Sequence, residues 1–362
     1  MSFLQSQLEK RELPPLLNFR DGTPVIPGTW RKRRAEILDI LCKNIYGYTP
    51  KAPETVTAEI IKEDKKAFAG KAIHRQIALK FNTPKGEFSF PCNFILPKSV
   101  TNPFVFLYIS FRPNIPDQYI PAEEIIDNGY ALMSFCYNDV TNDSLDGDYA
   151  RGLAGMYCTG EPRKPDEWGR IGMWAFAASR ALDYLWTCGE VNRNRIAVAG
   201  HSRLGKTALW AAAQDERFYM AVSNNSGFGG AAIAKRGTGE RVSDFLRCGS
   251  WDWFCETFKT CKGKEDDNTV YDQHMLLAAI APRKIHVGSA KEDDGADPKS
   301  EFLSCVSATE TYNLLGYEGL VTPDKYPVAG TSLHKGYIAY HLREGFHFLS
   351  RTDWLEYMKY FK

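Results

Sequence analysis

Neither sign of charge dominates this sequence: 45 basic side chains stand against 44 acidic ones, a formal net charge of +1. That balance leaves no broad basic face, so no nucleic-acid partner is expected. Long apolar runs are missing too. Stretches such as Leu276–Ala281 fall far short of the ~20 residues that cross a bilayer, and no membrane partner is expected. The nine cysteines include no CxxC pair and the chain has no HExxH, so neither a metal nor another cofactor is expected. Scattered singly, those cysteines read as reduced and mostly buried. The opening MSFLQSQLEKRELPPLL has no basic cluster followed by an apolar stretch, so no secretory signal is expected. A cytoplasmic location follows if Met1 is the native start, with secretion and a removed signal as the alternative.

What is present is the material of a large core: 44% hydrophobic and 13% aromatic residues over 362 positions, which argues against disorder. Residues 1–29 are polar and proline-rich, an arm laid over the fold. Trp30–Tyr46 has helical spacing, with Ile37, Leu38, Leu41 and Ile45 on one face. Strand-like runs follow at Val56–Ile61, Ala72–Phe81, Phe88–Leu96 and Phe104–Ile109, separated by Pro, Gly and charged turns. Beyond them strands and helices alternate. Strands are expected at Tyr130–Cys136, Arg195–Ala199, Tyr219–Ser223 and Lys284–Ser289. Helices are expected at Ile171–Trp186, Arg203–Ala213, Tyr271–Ala281, Pro298–Leu315 and Thr352–Phe361. Such alternation implies an α/β sandwich of three layers, its central sheet mostly parallel and extended at one edge by the antiparallel N-terminal strands. With no repeat and no low-complexity tract, residues 54–362 are expected to form one catalytic domain, with 1–53 an arm and helix packed on it.

The segment from Arg195 to Trp210 reads strand, tight turn, helix, and supports two incompatible chemistries. Gly200-x4-Gly205-Lys206-Thr207 satisfies the phosphate-loop pattern of a nucleotide-binding protein. Gly200-His201-Ser202 also reads as a nucleophile elbow, where a sharp turn presents a serine at a helix N-terminus. There the helix dipole and free N–H groups favour a developing oxyanion. Context favours the elbow. The next strand runs into Ser223-Asn-Asn-Ser rather than a magnesium-binding Asp, and His201, Ser202, Arg203 and Leu204 are bulky for a loop that wraps phosphate. The elbow demands an acid and then a histidine after later strands, and Asp293 and His347 stand in that order. Leu204 departs from the pattern, which usually has a small residue two after the serine.

Gly200-His-Ser-Arg-Leu-Gly-Lys206 resembles the signature of the glucuronoyl esterases of carbohydrate esterase family 15. Similar segments are Glu167-Trp-Gly-Arg-Ile-Gly-Met-Trp174, Asp215-Glu-Arg-Phe218, Asn225-Ser-Gly-Phe-Gly-Gly230, Tyr271-Asp-Gln-His274, Ala281-Pro-Arg283 and Arg343-Glu-Gly-Phe-His347. The resemblance covers roughly residues 100–362. It implies an α/β-hydrolase fold and a metal-free serine esterase that cleaves the ester between glucuronic acid on xylan and lignin alcohols. Some members act instead as acetyl xylan esterases, and a small-molecule carboxylesterase is a further alternative.

On this reading Ser202 attacks the ester carbonyl, His347 carries the proton, and an acid orients the ring. Many family members keep that acid as a glutamate at the position of Asn225; others keep it in a segment like Ser289-Ala-Lys-Glu-Asp293. Asp293 is therefore assigned, with Glu292, Asp294 and Asp297 as neighbouring alternatives. The resemblance implies that Arg203 supports the oxyanion, and that Lys206 and Glu240 bind sugar hydroxyls of a carbohydrate ester. Where the family often has a sugar-contacting tryptophan this chain has Gly295, and Trp251 or Trp253 is the candidate replacement ring. His201 is expected to point away from the serine, and His274 to be a hydrogen-bonder of the core.

Overall fold

The computed structural model describes residues 2–143, 148–158, 162–261 and 269–362, the side chains of Ser250, Trp251 and Cys261 excepted. Its strands are β1 (Thr57–Ala67), β2 (Ala72–Thr83), β3 (Gly86–Pro97), β4 (Val105–Ser110), β5 (Ala131–Cys136), β6 (Ile196–His201), β7 (Met220–Asn224), β8 (Lys284–Ala290), β9 (Thr331–Leu333) and β10 (Ile338–Arg343). They form one sheet in the order β1-β2-β3-β5-β4-β6-β7-β8-β10-β9. From β5 to β10 every neighbouring pair is parallel, whereas β1, β2 and β3 are antiparallel at one edge and β9 is antiparallel at the other.

Both faces of the parallel region are covered, which is why its strands read as unbroken apolar runs. In β4 the side chains of Val105, Leu107 and Ile109 enter the larger core, and Phe106 and Tyr108 enter the smaller one on the opposite face. Helices Trp30–Leu41, Arg170–Thr187, Arg203–Gln214, Gln273–Ile280 and Pro298–Leu314 pack in the larger core; Ala122–Asp127 and Arg351–Phe361 cover the other face. No helix among the described residues is long and apolar enough to cross a membrane. The eight described cysteines are free thiols, five of them buried.

The N-terminal arm is more ordered than its composition suggests. Phe3–Glu9 is a helix, held at its start by Asp324, whose carboxylate accepts from the N–H groups of Phe3 (2.6 Å) and Leu4 (2.8 Å). Leu4, Leu16 and Val25 sit in the larger core with the helices named above. Two further features differ from the sequence reading. β1 runs on to Ala67 through the charged stretch Lys62–Lys66, an exposed edge whose charges discourage edge-to-edge pairing. β10 is an additional strand, buried although it contains His341 and Arg343, and it launches the loop that carries His347.

Candidate active site

Ser202, Asn225, Asp293 and His347 all follow the C-terminal ends of β6, β7, β8 and β10. That edge is where open α/β sheets leave a crevice for ligands. Ser202 follows β6 with φ +57° and ψ −129°, and the helix Arg203–Gln214 starts at the next residue. A positive φ in a non-glycine residue costs ~1–3 kcal/mol and is kept where the surroundings enforce it. Here the Ser202 N–H donates to Asn224 O at 2.9 Å. Gly200 permits the turn, because a Cβ there would stand 2.0 Å from Leu204 O. Gly205 passes close to Ser226 and Gly200 O, a Cβ meeting them at 3.1 and 3.2 Å. The small residue therefore falls three positions after the serine, while Leu204 is fully buried in the core. Although Ser202 occupies the N-cap position, its hydroxyl makes no capping hydrogen bond.

The same geometry is incompatible with the phosphate-loop alternative. Lys206 is buried, its ammonium donating to Ser226 O (2.7 Å), Phe228 O (2.6 Å) and Glu240 Oε2 (3.0 Å). Thr207 Oγ1 is turned back to Arg203 O within the helix (2.9 Å). Neither side chain offers a proton to a phosphate lying in the turn.

His347 Nδ1 lies 2.6 Å from Asp293 Oδ2. Burial raises the Asp293 carboxyl, but hydrogen bonding and charge from His347, with help from Asn225, outweigh it and hold the group below the usual aspartate value. An ionised carboxylate only accepts, so Nδ1 carries the proton and Nε2 is free to take one. Asn225, in the left-handed region at φ +46°, donates from Nδ2 to the same Asp293 oxygen at 2.6 Å. The residue that cannot serve as the acid thus steers the one that can. Of the other carboxylates in the loop, Glu292 accepts from Gly345 N and Asp297 caps the helix Pro298–Leu314; neither bonds His347. The acid and histidine loops are stitched further by Lys291 N to Arg343 O (2.9 Å) and Glu292 N to Gly345 O (3.1 Å).

His201 does not simply turn away. Its Nδ1–H donates to Asn224 Oδ1 at 2.8 Å, and its ring lies against that of His347, centroids 4.6 Å apart. Burial, reinforced by the neighbouring His347, pushes His201 down to about 3. A neutral ring there opposes charging of His347 less than a cationic one would. The Ser202 hydroxyl forms no hydrogen bond with His347 among the described residues; such contacts are often long before substrate binds. His274 is a core residue, Nε2 donating to Pro14 O at 2.8 Å.

On the other side of the serine, Arg203 is tethered by Asp143, to which its Nη1 donates closely. The guanidinium carbon stands 4.3 Å over the Trp253 ring, and Trp253 Nε1 donates to the second Asp143 oxygen at 2.6 Å. Arg203 Nε is buried and has no partner among the described residues, so the guanidinium keeps one charge-assisted N–H that no acceptor among them uses. Trp253 is buried and serves Arg203 rather than an open sugar platform; Trp251 lies outside the described side chains. Lys206, expected to meet a sugar hydroxyl, has all three protons committed and instead fixes Glu240, whose side chain is 40% exposed. A Cβ added to Gly295 would meet only Asp293 Oδ1, at 3.9 Å, so that side of the site is open. Asp143 was not visible in the sequence as a functional residue; its one signal is its place in the loop after β5, at the crevice edge.

Comparison with known proteins adds an independent line. The family described as "Glucuronyl esterase, fungi" matches residues 80–316. Carbohydrate esterase MZ0003, from an unknown prokaryotic organism, is 33% identical across 98% of this chain and 90% of its own length. A 4-O-methyl-glucuronoyl methylesterase of Cerrena unicolor is 26% identical over 89% of this chain, which spans 65% of that protein. Among solved structures, a glucuronoyl esterase from Solibacter usitatus superposes with a TM-score of 0.88 at 31% identity, covering 96% of this chain and 97% of that one.

Proposed function

The chain belongs to the glucuronyl esterase family, carbohydrate esterase family 15, and is a carboxylic ester hydrolase; from that premise we propose that it cleaves 4-O-methyl-glucuronoyl esters of xylan-derived oligosaccharides through an acyl-enzyme on Ser202. His347 Nε2 takes the serine proton as Oγ attacks the ester carbonyl, and returns it to the departing alcohol. Asp293 holds the ring with Nε2 outward and stabilises the imidazolium. The negative charge that develops on the carbonyl oxygen is met by N–H groups at the start of the helix Arg203–Gln214 and by the Arg203 guanidinium. Water then repeats the sequence against the acyl-enzyme and releases the uronic acid. Glu240, ordered by Lys206, accepts from a sugar hydroxyl.

The observation that carries this reading is the 2.6 Å contact between His347 and Asp293 on loops flanking an elbow serine whose hydroxyl is not spent on capping. Rates on benzyl glucuronate and on an acetylated xylo-oligosaccharide test it. Faster cleavage of the glucuronate, lost in Ser202→Ala, is expected. Preference for the acetyl ester would transfer the substrate to the acetyl xylan esterase class while leaving the mechanism in place.

A further inference from the structure

The loop that presents His347 runs from the end of β10 to the helix Arg351–Phe361, and its backbone is wrapped around one cation. Arg343 donates from Nη1 to Glu344 O at 2.9 Å, and from Nη2 to Phe346 O at 3.1 Å and, more closely, to Phe348 O. The carbonyls immediately before and after His347 therefore share a single guanidinium. That guanidinium is fixed in turn by Asp353, with Nε 3.1 and 2.9 Å from its two carboxylate oxygens.

Asp353 closes the far end of the same loop. It accepts from Ser350 N (2.6 Å) and Ser350 Oγ (2.7 Å), the cap of the helix Arg351–Phe361, and from His341 Nε2 (2.8 Å). Burial would raise its carboxyl, but the hydrogen bond and charge of His341 and the charge of Arg343 hold it at about 2. His341 is itself backed by His286, ring nitrogens 2.9 Å apart. Apolar burial does little to fix the centre of the loop: Phe346 is 74% exposed and Phe348 37%. The polar cage thus fixes the loop backbone on one side of the ring, while the Asp293 contact and the Glu292–Gly345 bonds hold it on the other. A planar fork with five donors can hold three carbonyls and a carboxylate at once; a lysine cannot.

We propose that Arg343, locked by Asp353, is the positioning residue that holds the His347 loop in register with Ser202. Neither Arg343 nor Asp353 bonds His347, Ser202 or Asp293 among the described residues, so they act through the loop backbone and not on the reacting atoms. The inference rests on His347 being the proton carrier.

Arg343→Met, Arg343→Lys, His347→Ala and the exposed control Arg351→Met, whose parent pairs with Glu124 at the surface, are assayed on benzyl glucuronate, with thermal melting to verify folding. Folded Arg343→Met is expected to lose at least fivefold in kcat with KM within twofold. Arg343→Lys should fail to restore kcat, and Arg351→Met should stay within twofold of the parent. If Arg343→Met does not fold, Arg343→Lys is judged by the same threshold. A folded variant at 343 with less than a fivefold loss overturns the proposal, as does an equal loss in Arg351→Met. An active His347→Ala would defeat the proton-carrier reading itself, whereas a dead His347→Ala beside an unaffected Arg343 variant defeats only this inference.

Discussion

Replacing Asp293 by Asn removes one charge and little else. The amide oxygen can take the place of Oδ2, which accepts both from His347 Nδ1 and from Asn225 Nδ2 at 2.6 Å, so a neutral version of both hydrogen bonds survives in one amide orientation. In the other, the NH₂ group faces two donors and the ring is driven to the wrong tautomer. What is lost in either case is the attraction between the carboxylate and the imidazolium formed during acyl transfer. For unit charges ~4 Å apart at an effective dielectric constant of ~20, that attraction is about 4 kcal/mol. At ~1.36 kcal/mol per factor of ten, the expected loss in kcat is roughly a thousandfold, in line with the larger effect of triad-acid removal in a serine protease. Because the native carboxyl is held below the usual aspartate value, its charge is present throughout the range above that value and is lost only at still lower pH. The deficit should therefore persist across the neutral range. Steady-state kinetics on benzyl glucuronate, with melting curves to exclude unfolding, give the measurement. A folded Asp293→Asn protein within tenfold of the parent would refute the reasoning and move the orienting charge elsewhere.

Ser202→Gly should abolish turnover yet raise stability by about 1 kcal/mol, since glycine adopts the φ +57° backbone without the side-chain penalty; denaturant melts compare the two proteins. Asp143→Asn should lower kcat by roughly ten- to a hundredfold with KM nearly unchanged, because Arg203 loses the charge that tethers it and oxyanion stabilisation weakens. Glu301 is fully buried and accepts from Ser226 N, Gly227 N, Ser226 Oγ and Ser289 Oγ, joining the loop after β7 to the end of β8. Burial pushes its carboxyl up to about 7. A raised carboxyl means that the folded state binds the extra proton, so stability falls as pH rises from the ordinary glutamate value through 7. Glu301→Gln cannot ionise, and its melting temperature should fall less than the parent's between pH 5 and 8.

Strands and helices that are apolar on the faces they bury were legible in the sequence: β2 to β8 and the helix Arg203–Gln214 lie within a few residues of where periodicity put them. β10 was not, because its short parallel run contains His341 and Arg343, polar residues whose burial depends on hydrogen bonds to Asp353, 12 and 10 positions further on, which no local pattern encodes. β1 was cut short for the related reason that Lys62–Lys66 is charged and gains its strand from pairing with β2. At the site, order along the chain pointed to Ser202, Asp293 and His347, since a hydrolase elbow demands an acid and a histidine after later strands. The supporting contacts were hidden. Asn225 and Asp143 act through hydrogen bonds to Asp293 and Arg203, partners 68 and 60 residues away in sequence. The commitment of Lys206 to two backbone carbonyls follows from a turn conformation that the sequence does not announce.

The convergence of Ser202, His347 and Asp293 is tested most directly by treating the protein with a fluorophosphonate and identifying the modified residue by mass spectrometry. The account predicts a single adduct on Ser202, formed rapidly in the parent and at a greatly reduced rate in His347→Ala. An adduct on another residue, or labelling of Ser202 at the same rate without the His347 ring, would contradict it.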